Sequence, residues 1–162
     1  GEIVSSGPQI MRGYWNRPEA DEETLFERDG RRFMRTGDIA MRDEEGYYFM
    51  VDRLKRMINA SGYKVWPAEV ESMLYGHPAI QEACIIGIPD EQRGETAKAF
   101  VVLCDDEDAT AEDIIEWAKG EMAAYKYPRQ VEFIDELPKS GSGKILWREL
   151  QEQEQKKMTE AG

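Results

Sequence analysis

Over the first fifty residues, polar and apolar positions alternate in short stretches, each closed by a turn signal. Glu2–Ser6 alternates until Gly7-Pro8 stops it, and residues 33–36, 39–42 and 47–51 read as three further strands. Gly37-Asp38 lies between the first two as a strand-end turn. Asp43-Glu44-Glu45-Gly46 lies before the third as a hairpin loop ending in glycine. The polar stretch 16–23 reads as loop with a single helical turn. This part predicts antiparallel sheet.

After Asp52 the period changes. Residues 54–59 mix charge with apolar positions until Ser61-Gly62-Tyr63 breaks the run. Pro67 opens a helix to about Tyr75, with Val70, Met73 and Leu74 on its apolar face, and Gly76-His77-Pro78 ends it. Residues 83–88 and 97–103 are dense apolar runs of strand length, joined by the loop 89–94. Thr110 with Asp113 three residues on predicts a capping box, and Ile114, Ile115, Ala118 and Met122 follow at helical spacing. Residues 131–134 form another strand, 138–143 a mobile loop, and 145–157 a polar terminal helix. The fold class is α+β: a short antiparallel β-rich N-terminal piece, then a small α+β domain with a central sheet of about three strands flanked by helices. No Pro/Gly/Ser-rich linker separates the two, so the junction near Asp52 reads as a tight hinge.

Composition narrows the function. Of 162 residues, 21 are Lys or Arg and 33 Asp or Glu, a net charge of −12. That balance argues against a general grip on nucleic acid or on an anionic membrane, both of which need a basic face. A hydrophobic fraction of 41% suffices for a packed core. Two cysteines and one histidine exclude a disulfide framework, a four-sulfur zinc site and a histidine-rich metal site. No apolar run approaches the ~20 residues of a membrane helix. The expectation is a soluble, cytoplasmic protein, processed or excised from something longer because it opens Gly-Glu-Ile-Val without an initiator Met.

Several local motifs fail on spacing. Gly143-Lys144 lacks the P-loop's earlier glycine, because Pro138 stands there, and Ile145 follows where Ser or Thr is needed. Ser61 and Lys64 match S-x-x-K without the partner motifs of penicillin-binding enzymes. His77 reads as a helix-end residue, Cys84 and Cys104 as small core residues, and the acidic run 105–108 lacks the ligand spacing of a calcium loop.

Four segments in order carry more: Gly13-Tyr14-Trp15; Arg35-Thr36-Gly37-Asp38; residues 52–64 (DRLKRMINASGYK); and residues 137–144 (LPKSGSGK). Together they resemble the C-terminal third of the adenylate-forming enzymes, the superfamily of acyl-CoA synthetases, peptide-synthetase adenylation domains and luciferases. The runs Asn59-Ala60-Ser61-Gly62-Tyr63 and Tyr125-Lys126-Tyr127-Pro128-Arg129 resemble most the fatty and aryl acyl-CoA ligases. The resemblance implies residues 1–53 as the end of a larger barrel domain and 54–162 as a mobile C-terminal domain. It implies a chain that acts with the missing N-terminal domain on ATP, a fatty acid and coenzyme A, forming acyl-AMP and then the thioester. It also implies that the 162-residue piece alone is inactive.

Residue by residue, the resemblance makes Lys144 the cation that offsets repulsion between carboxylate and triphosphate. Asp38 becomes the ribose-binding carboxylate, joined by Arg53. Lys55 becomes the hinge, and Ser61, Gly62 and Tyr63 the face lining the coenzyme A channel. Asn59 and Lys64 become further nucleotide or coenzyme contacts. Mg2+ is implied with ATP, but no residue here is assigned to it. Arg56, Lys126 and Arg129 are the candidates for the coenzyme's 3′-phosphate. An aryl-acid–CoA ligase, a peptide-synthetase-type adenylation domain and a non-catalytic interaction module of the same fold are the alternatives.

Overall fold

The computed structural model describes residues 1–105 and 107–160. Asp106, in the acidic run 105–108, lies outside the described residues, as do residues 161 and 162. The chain divides into two compact units, Gly1–Lys55 and Arg56–Gly162.

Unit 1 is an antiparallel sheet of β1 (Glu2–Ser6), β2 (Leu25–Arg28), β3 (Arg31–Arg42) and β4 (Tyr48–Arg53), with helix α1 (Pro18–Thr24) before β2. The strands expected at 33–36 and 39–42 are one strand. β1 pairs along one edge of β3, while β2 and then β4 pair along the other. The ladder is irregular at Gly37-Asp38: against β1 the register shifts between Arg35 and Ile39, Gly37 has a φ of 71°, and against β4 a further shift follows between Ile39 and Ala40. Asp38 is thus a mid-strand residue, not a strand-end one. Strand β2 was not foreseen, although Asp29-Gly30, both with positive φ (52° and 68°), makes the two-residue hairpin turn that pairs it with β3. Among the described residues of this unit Ala40 alone is buried; Met41, Tyr47, Tyr48, Phe49 and Met50 are exposed.

A 3-10 turn (Leu54–Arg56) spans the division, and unit 2 contains β5 (Ile58–Ala60), β6 (Tyr63–Val65), α2 (Pro67–Leu74), β7 (Ile80–Asp90), β8 (Gly94–Leu103), α3 (Ala111–Glu121), β9 (Gln130–Phe133) and α4 (Trp147–Glu160). The three strands expected from the apolar runs are β7, β8 and β9. The β5–β6 hairpin extends the sheet to five, in the order β6-β5-β8-β7, with β9 parallel to β8. The β7–β8 pair is the longest, running from Ile80 opposite Leu103 to Asp90 opposite Gly94.

These two strands read as unbroken apolar runs because both faces of the sheet are covered. Odd-numbered side chains, Ala83, Ile85, Ala97, Ala99 and Val101, pack with Val70 and Leu74 of α2 and Ile114 and Ala118 of α3. Even-numbered ones, Cys84, Ile86, Ile88 and Phe100, pack with Leu137 and with Leu150 of α4. Successive side chains point to opposite faces, so the sheet separates two cores. Each fully buried Ile or Phe there contributes about 1.5–3 kcal/mol. Burial also pushes the Cys84 thiol up to about 12, with the Glu71 carboxylate adding to it, so this cysteine is an inert core residue.

The helices form for local reasons. Pro67 opens α2, and Glu69 lies in its first turn. The Thr110 side chain caps α3, and Asp113 reaches back to the Thr110 N–H (3.0 Å) and hydroxyl (2.7 Å), which holds the Asp113 carboxyl below the usual range. α4 is polar and docks differently. Its buried face is Leu150 and Glu154. Glu154 Oε1 lies 2.6 Å from Lys98 Nζ, whose side chain is 7% exposed, and Glu132 of β9 takes the same ammonium at 2.8 Å. Lys157 closes the network on Glu132 at 2.6 Å.

The outer edge of β7 pairs with no strand among the described residues, and side chains take its backbone groups instead. Ile85 N–H donates to Glu71 Oε1 (2.8 Å), and Arg56 Nη2 donates to Ile85 O (3.3 Å). Gln151 Nε2 of α4 donates to Gly87 O (2.7 Å). Arg56 and Glu71 are themselves ion-paired, and the guanidinium sits 5.8 Å from the Trp147 ring centroid.

The buried network yields a stability prediction. Lys98→Ala leaves the buried Glu154 with only the more distant Lys157, 3.8 Å away, and should cost about 3–5 kcal/mol in urea unfolding. A loss under about 1 kcal/mol would mean that α4 is held by its apolar contacts alone. Glu132 also sets a pH dependence. Burial raises its pKa, but hydrogen bonds from Lys157 and Lys98 prevail and lower it below the ordinary 4.5. Its share of stability is therefore whole above about pH 4.5 and drains away as the pH falls through the depressed value.

Candidate functional site

In unit 1, Asp38 and Arg53 stand opposite each other in the β3–β4 ladder. Arg53 Nε lies 3.0 Å from Asp38 Oδ1, with both side chains partly exposed. The strand is held there by a local network. Thr36 Oγ1 donates to Ile3 O (2.8 Å) and accepts the Asp38 N–H (3.1 Å), and the Gly37 N–H donates to Glu2 Oε1 (3.1 Å). Glu2 also pairs with Arg35 at 3.1 Å. A carboxylate fixed by its neighbour, with one oxygen in an ion pair, keeps its other oxygen for a hydroxyl donor. Lys55 lies two residues further on, exposed in the 3-10 turn.

In unit 2, Ser61 and Gly62 are the two central residues of the β5–β6 hairpin, with φ of 54° and 83°. Positive φ at both positions defines a type I′ turn. Gly62 adopts it freely, while Ser61 does so at a cost of about 1–2 kcal/mol. The turn is braced from outside: Ser61 N–H donates to Arg93 O (2.9 Å) and Gly62 N–H to Asn59 Oδ1 (3.1 Å). Asn59 N–H in turn donates to Glu95 Oε2 at 2.8 Å. Tyr63 leaves the turn more than half exposed, opposite Ala60, and Lys64 is exposed opposite Asn59. Val65 on the same strand face as Tyr63, and Ile58 and Ala60 across from them, root the hairpin in the core beneath α2 and α3.

Lys144 ends a second tight hairpin. Expected as a mobile loop, residues 138–143 are closed by a Lys139–Ile145 bridge and by Ser140 N–H to Lys144 O, Gly143 N–H to Ser140 O and Leu146 N–H to Pro138 O, each 2.8 Å. Gly143 at φ 79° supplies the left-handed residue that the turn needs. Ser140 Oγ accepts the Lys144 N–H (3.2 Å), and Lys139 pairs with Glu82 at 2.6 Å. Leu137 and Ile145 root this hairpin in the other core, beneath α4. The Lys144 hairpin is therefore rooted in one core and the β5–β6 hairpin, itself part of the sheet, in the other.

Charge pairing separates the lysines. Lys98, Lys119, Lys126, Lys139 and Lys157 are bound to carboxylates. Among the described residues, Lys55, Lys64, Lys144 and Lys156 form no ion pair, and the motifs had singled out three of these four. The basic residues considered for a 3′-phosphate are engaged internally. Arg56 is held by Glu71, Lys126 by Glu69, and Arg129 donates to Ala124 O (2.8 Å) over the Tyr127 ring. Among the described residues no group of three His, Cys, Asp or Glu could hold a metal ion, and no helix is long and apolar enough to cross a membrane. One contact escaped the sequence reading: Tyr125 stacks on Tyr63 with ring centroids 4.6 Å apart and planes 17° from parallel.

Residues 69–144 match the family described as AMP-binding enzyme C-terminal domain. Over 154 residues the chain is 50% identical to a long-chain-fatty-acid–CoA ligase of Bacillus subtilis (strain 168), taking in 95% of this chain and 27% of that protein. A feruloyl-CoA synthase of an Amycolatopsis species is 48% identical over 150 residues, 93% of this chain and 30% of that protein. The crystal structure of ATP-bound MatB from Rhodopseudomonas palustris shares a TM-score of 0.85 at 32% identity, over 94% of this chain and 30% of that one. The chain thus spans under a third of the length of these relatives. Its residues 69–144 are similar to the AMP-binding enzyme C-terminal domain, and over nearly its whole length the chain resembles the C-terminal portion of adenylate-forming enzymes in their acyl-CoA synthetase branch.

Proposed function

We propose that this chain is the C-terminal part of a cytoplasmic fatty-acid–CoA ligase that converts a medium- or long-chain fatty acid and ATP to acyl-AMP and pyrophosphate. The same enzyme then passes the acyl group to the thiol of coenzyme A and releases AMP. The observation that carries this reading is the 50% identity to a long-chain-fatty-acid–CoA ligase over 95% of the chain. Two features of the structure support it. Unit 1 has a single buried side chain among its described residues and a row of exposed aromatic and Met side chains, which fits the last strands of a larger domain that covers them. Unit 2 roots its two marked hairpins in the cores on opposite sides of its sheet, which fits a unit that presents them one after the other by a rotation about Lys55.

In this reading Asp38 accepts hydrogen bonds from the ribose hydroxyls, and Arg53 fixes its orientation. Lys144, a mobile point charge without a carboxylate partner, meets the negative charge that gathers as carboxylate attacks the α-phosphate. After adenylation the swing withdraws Lys144 and brings in Ser61, Gly62 and Tyr63 to line the path of the pantetheine arm. Asn59 braces that turn, and Lys64 extends from its base toward the nucleotide or coenzyme. The phosphate-binding loop, the acyl pocket and the ligands of the Mg2+ that accompanies ATP belong to the N-terminal domain. A second reading replaces the fatty acid with an aryl acid, and the 48% identity to a feruloyl-CoA synthase favours it. Parallel assays of the full-length enzyme with palmitate and ferulate distinguish the two.

Three substitutions in the full-length ligase test the assignments. Lys144→Ala should slow acyl-AMP formation by about 10²–10³ while thioester formation from supplied acyl-AMP stays near wild type; equal loss in both steps would make Lys144 structural. Asp38→Ala removes two charge-assisted bonds worth about 1.5–3 kcal/mol each, so KM for ATP should rise and adenylation fall, and unchanged ATP kinetics would reduce Asp38 to a partner of Arg53. Lys55→Pro fixes φ near −65° and should hold one orientation, sparing acyl-AMP formation and blocking transfer. Normal transfer in a variant whose thermal melt matches wild type would remove the pivot from Lys55.

A further inference from the structure

The stacked tyrosines call for a role that the motifs do not supply. Tyr63 ends the Ser61–Gly62 turn on a strand of three residues and is 57% exposed. Tyr125 comes from the segment between α3 and β9 and packs against the core beneath α2 and α3. That segment is pinned along its length. Lys126 N–H donates to Ala123 O (2.8 Å), Arg129 N–H donates to Ala97 O of β8 (2.9 Å), and Tyr127 is buried. The Lys126 ammonium sits 5.8 Å from the Tyr125 ring centroid and is bound to Glu69 of α2. One member of the stacked pair is thus fixed to the core, while the other projects from a short hairpin.

We infer that Tyr125 is a positioning residue for the transfer half-reaction, the seat that holds Tyr63, and with it the Ser61–Gly62 turn, in the orientation the coenzyme A arm meets. The inference rests on the function proposed above. The geometry gives it a step-specific consequence. Tyr125 belongs to the core beneath α2 and α3, whereas the Lys144 hairpin is rooted in the core beneath α4. Loosening the stack therefore disturbs one functional surface and leaves the other in place. The tyrosine hydroxyl takes no part in the stack, so a phenyl ring serves as well.

In the full-length ligase, Tyr125→Ala should slow thioester formation from supplied acyl-AMP about three- to tenfold, the span expected for losing a stacked aromatic pair. Acyl-AMP formation should stay within about twofold of wild type. Tyr125→Phe should restore the wild-type transfer rate. Tyr125→Leu keeps the bulk without the flat ring and should behave as Tyr125→Ala does, which covers the case of an alanine variant that fails to fold. In the 162-residue chain, amide exchange at Gly62 and Tyr63 should quicken in the Ala or Leu variant and not in Phe. Equal loss in both half-reactions, or unchanged transfer in a folded Ala or Leu variant, overturns the inference. Lys144→Ala reports on the enzyme reading independently. If it separates the half-reactions and the Tyr125 variants do not, only the seat falls. If it fails to separate them, the step-specific role of Lys144 in that reading falls, and the amide exchange still decides whether Tyr125 holds the turn.

Discussion

Unit 2 depends on the pairing of β7 with β8, two strands buried on both faces at once. With Ile85 opposite Ala99 and Cys84 opposite Phe100, the parity of each residue assigns it to one core or the other. A slip of one residue would exchange the two sets and bring Lys98 into an apolar layer under α2 and α3. That constraint fixes the register, and the register fixes which hairpin roots in which core. The β5–β6 hairpin and the Lys144 hairpin are rooted in different cores because the residues at their bases have side chains suited to different layers.

The electrostatics follow from the same layering. A chain with a net charge of −12 has carboxylates to spare, and it uses them inside unit 2 to hold cations at structural positions. Lys98 is tied to Glu132 and Glu154, Lys126 to Glu69, and Arg56 to Glu71. Lys144 is held differently. Backbone hydrogen bonds and the Ser140 hydroxyl close its hairpin, so the loop has a defined shape without any carboxylate being drawn onto the ammonium. Geometry is set by neutral groups, and the charge is left for whatever approaches.

The elements that were legible in the sequence are those whose signals are local. Thr110 and Asp113 lie three residues apart and form the capping box that their spacing predicted. Pro67 opens α2 as read, the apolar run at 83–88 is the middle of β7, and that at 97–103 is the greater, C-terminal part of β8. Their ends were read short because Glu82, Pro89 and Asp90 look like loop residues, although an edge strand tolerates them. Gly37-Asp38 reads as a turn because neither residue favours strand, and the structure places there an irregular step inside β3, skipped by β1, with Asp38 held opposite Arg53 of β4. The Asp29-Gly30 turn is a local signal of the same kind, and it closes the β2–β3 hairpin. The contacts of Tyr125 with Tyr63 and of Lys98 with Glu154 span more than fifty residues, and no local pattern announces them. The candidate residues Asp38, Arg53 and Lys144 were legible only as members of ordered motifs, since each alone is an ordinary surface residue.

The straps along the outer edge of β7 have a consequence for the protein in solution. An edge strand with open amides and carbonyls is a template on which a second copy can add a strand, and that is a common route to aggregation. Here Glu71 and Arg56 occupy the N–H and C=O of Ile85, and Gln151 occupies the carbonyl of Gly87, midway along the strand. An incoming strand would have to expel a charged pair to bond at Ile85. The side chains that complete the sheet thereby also guard it against self-association.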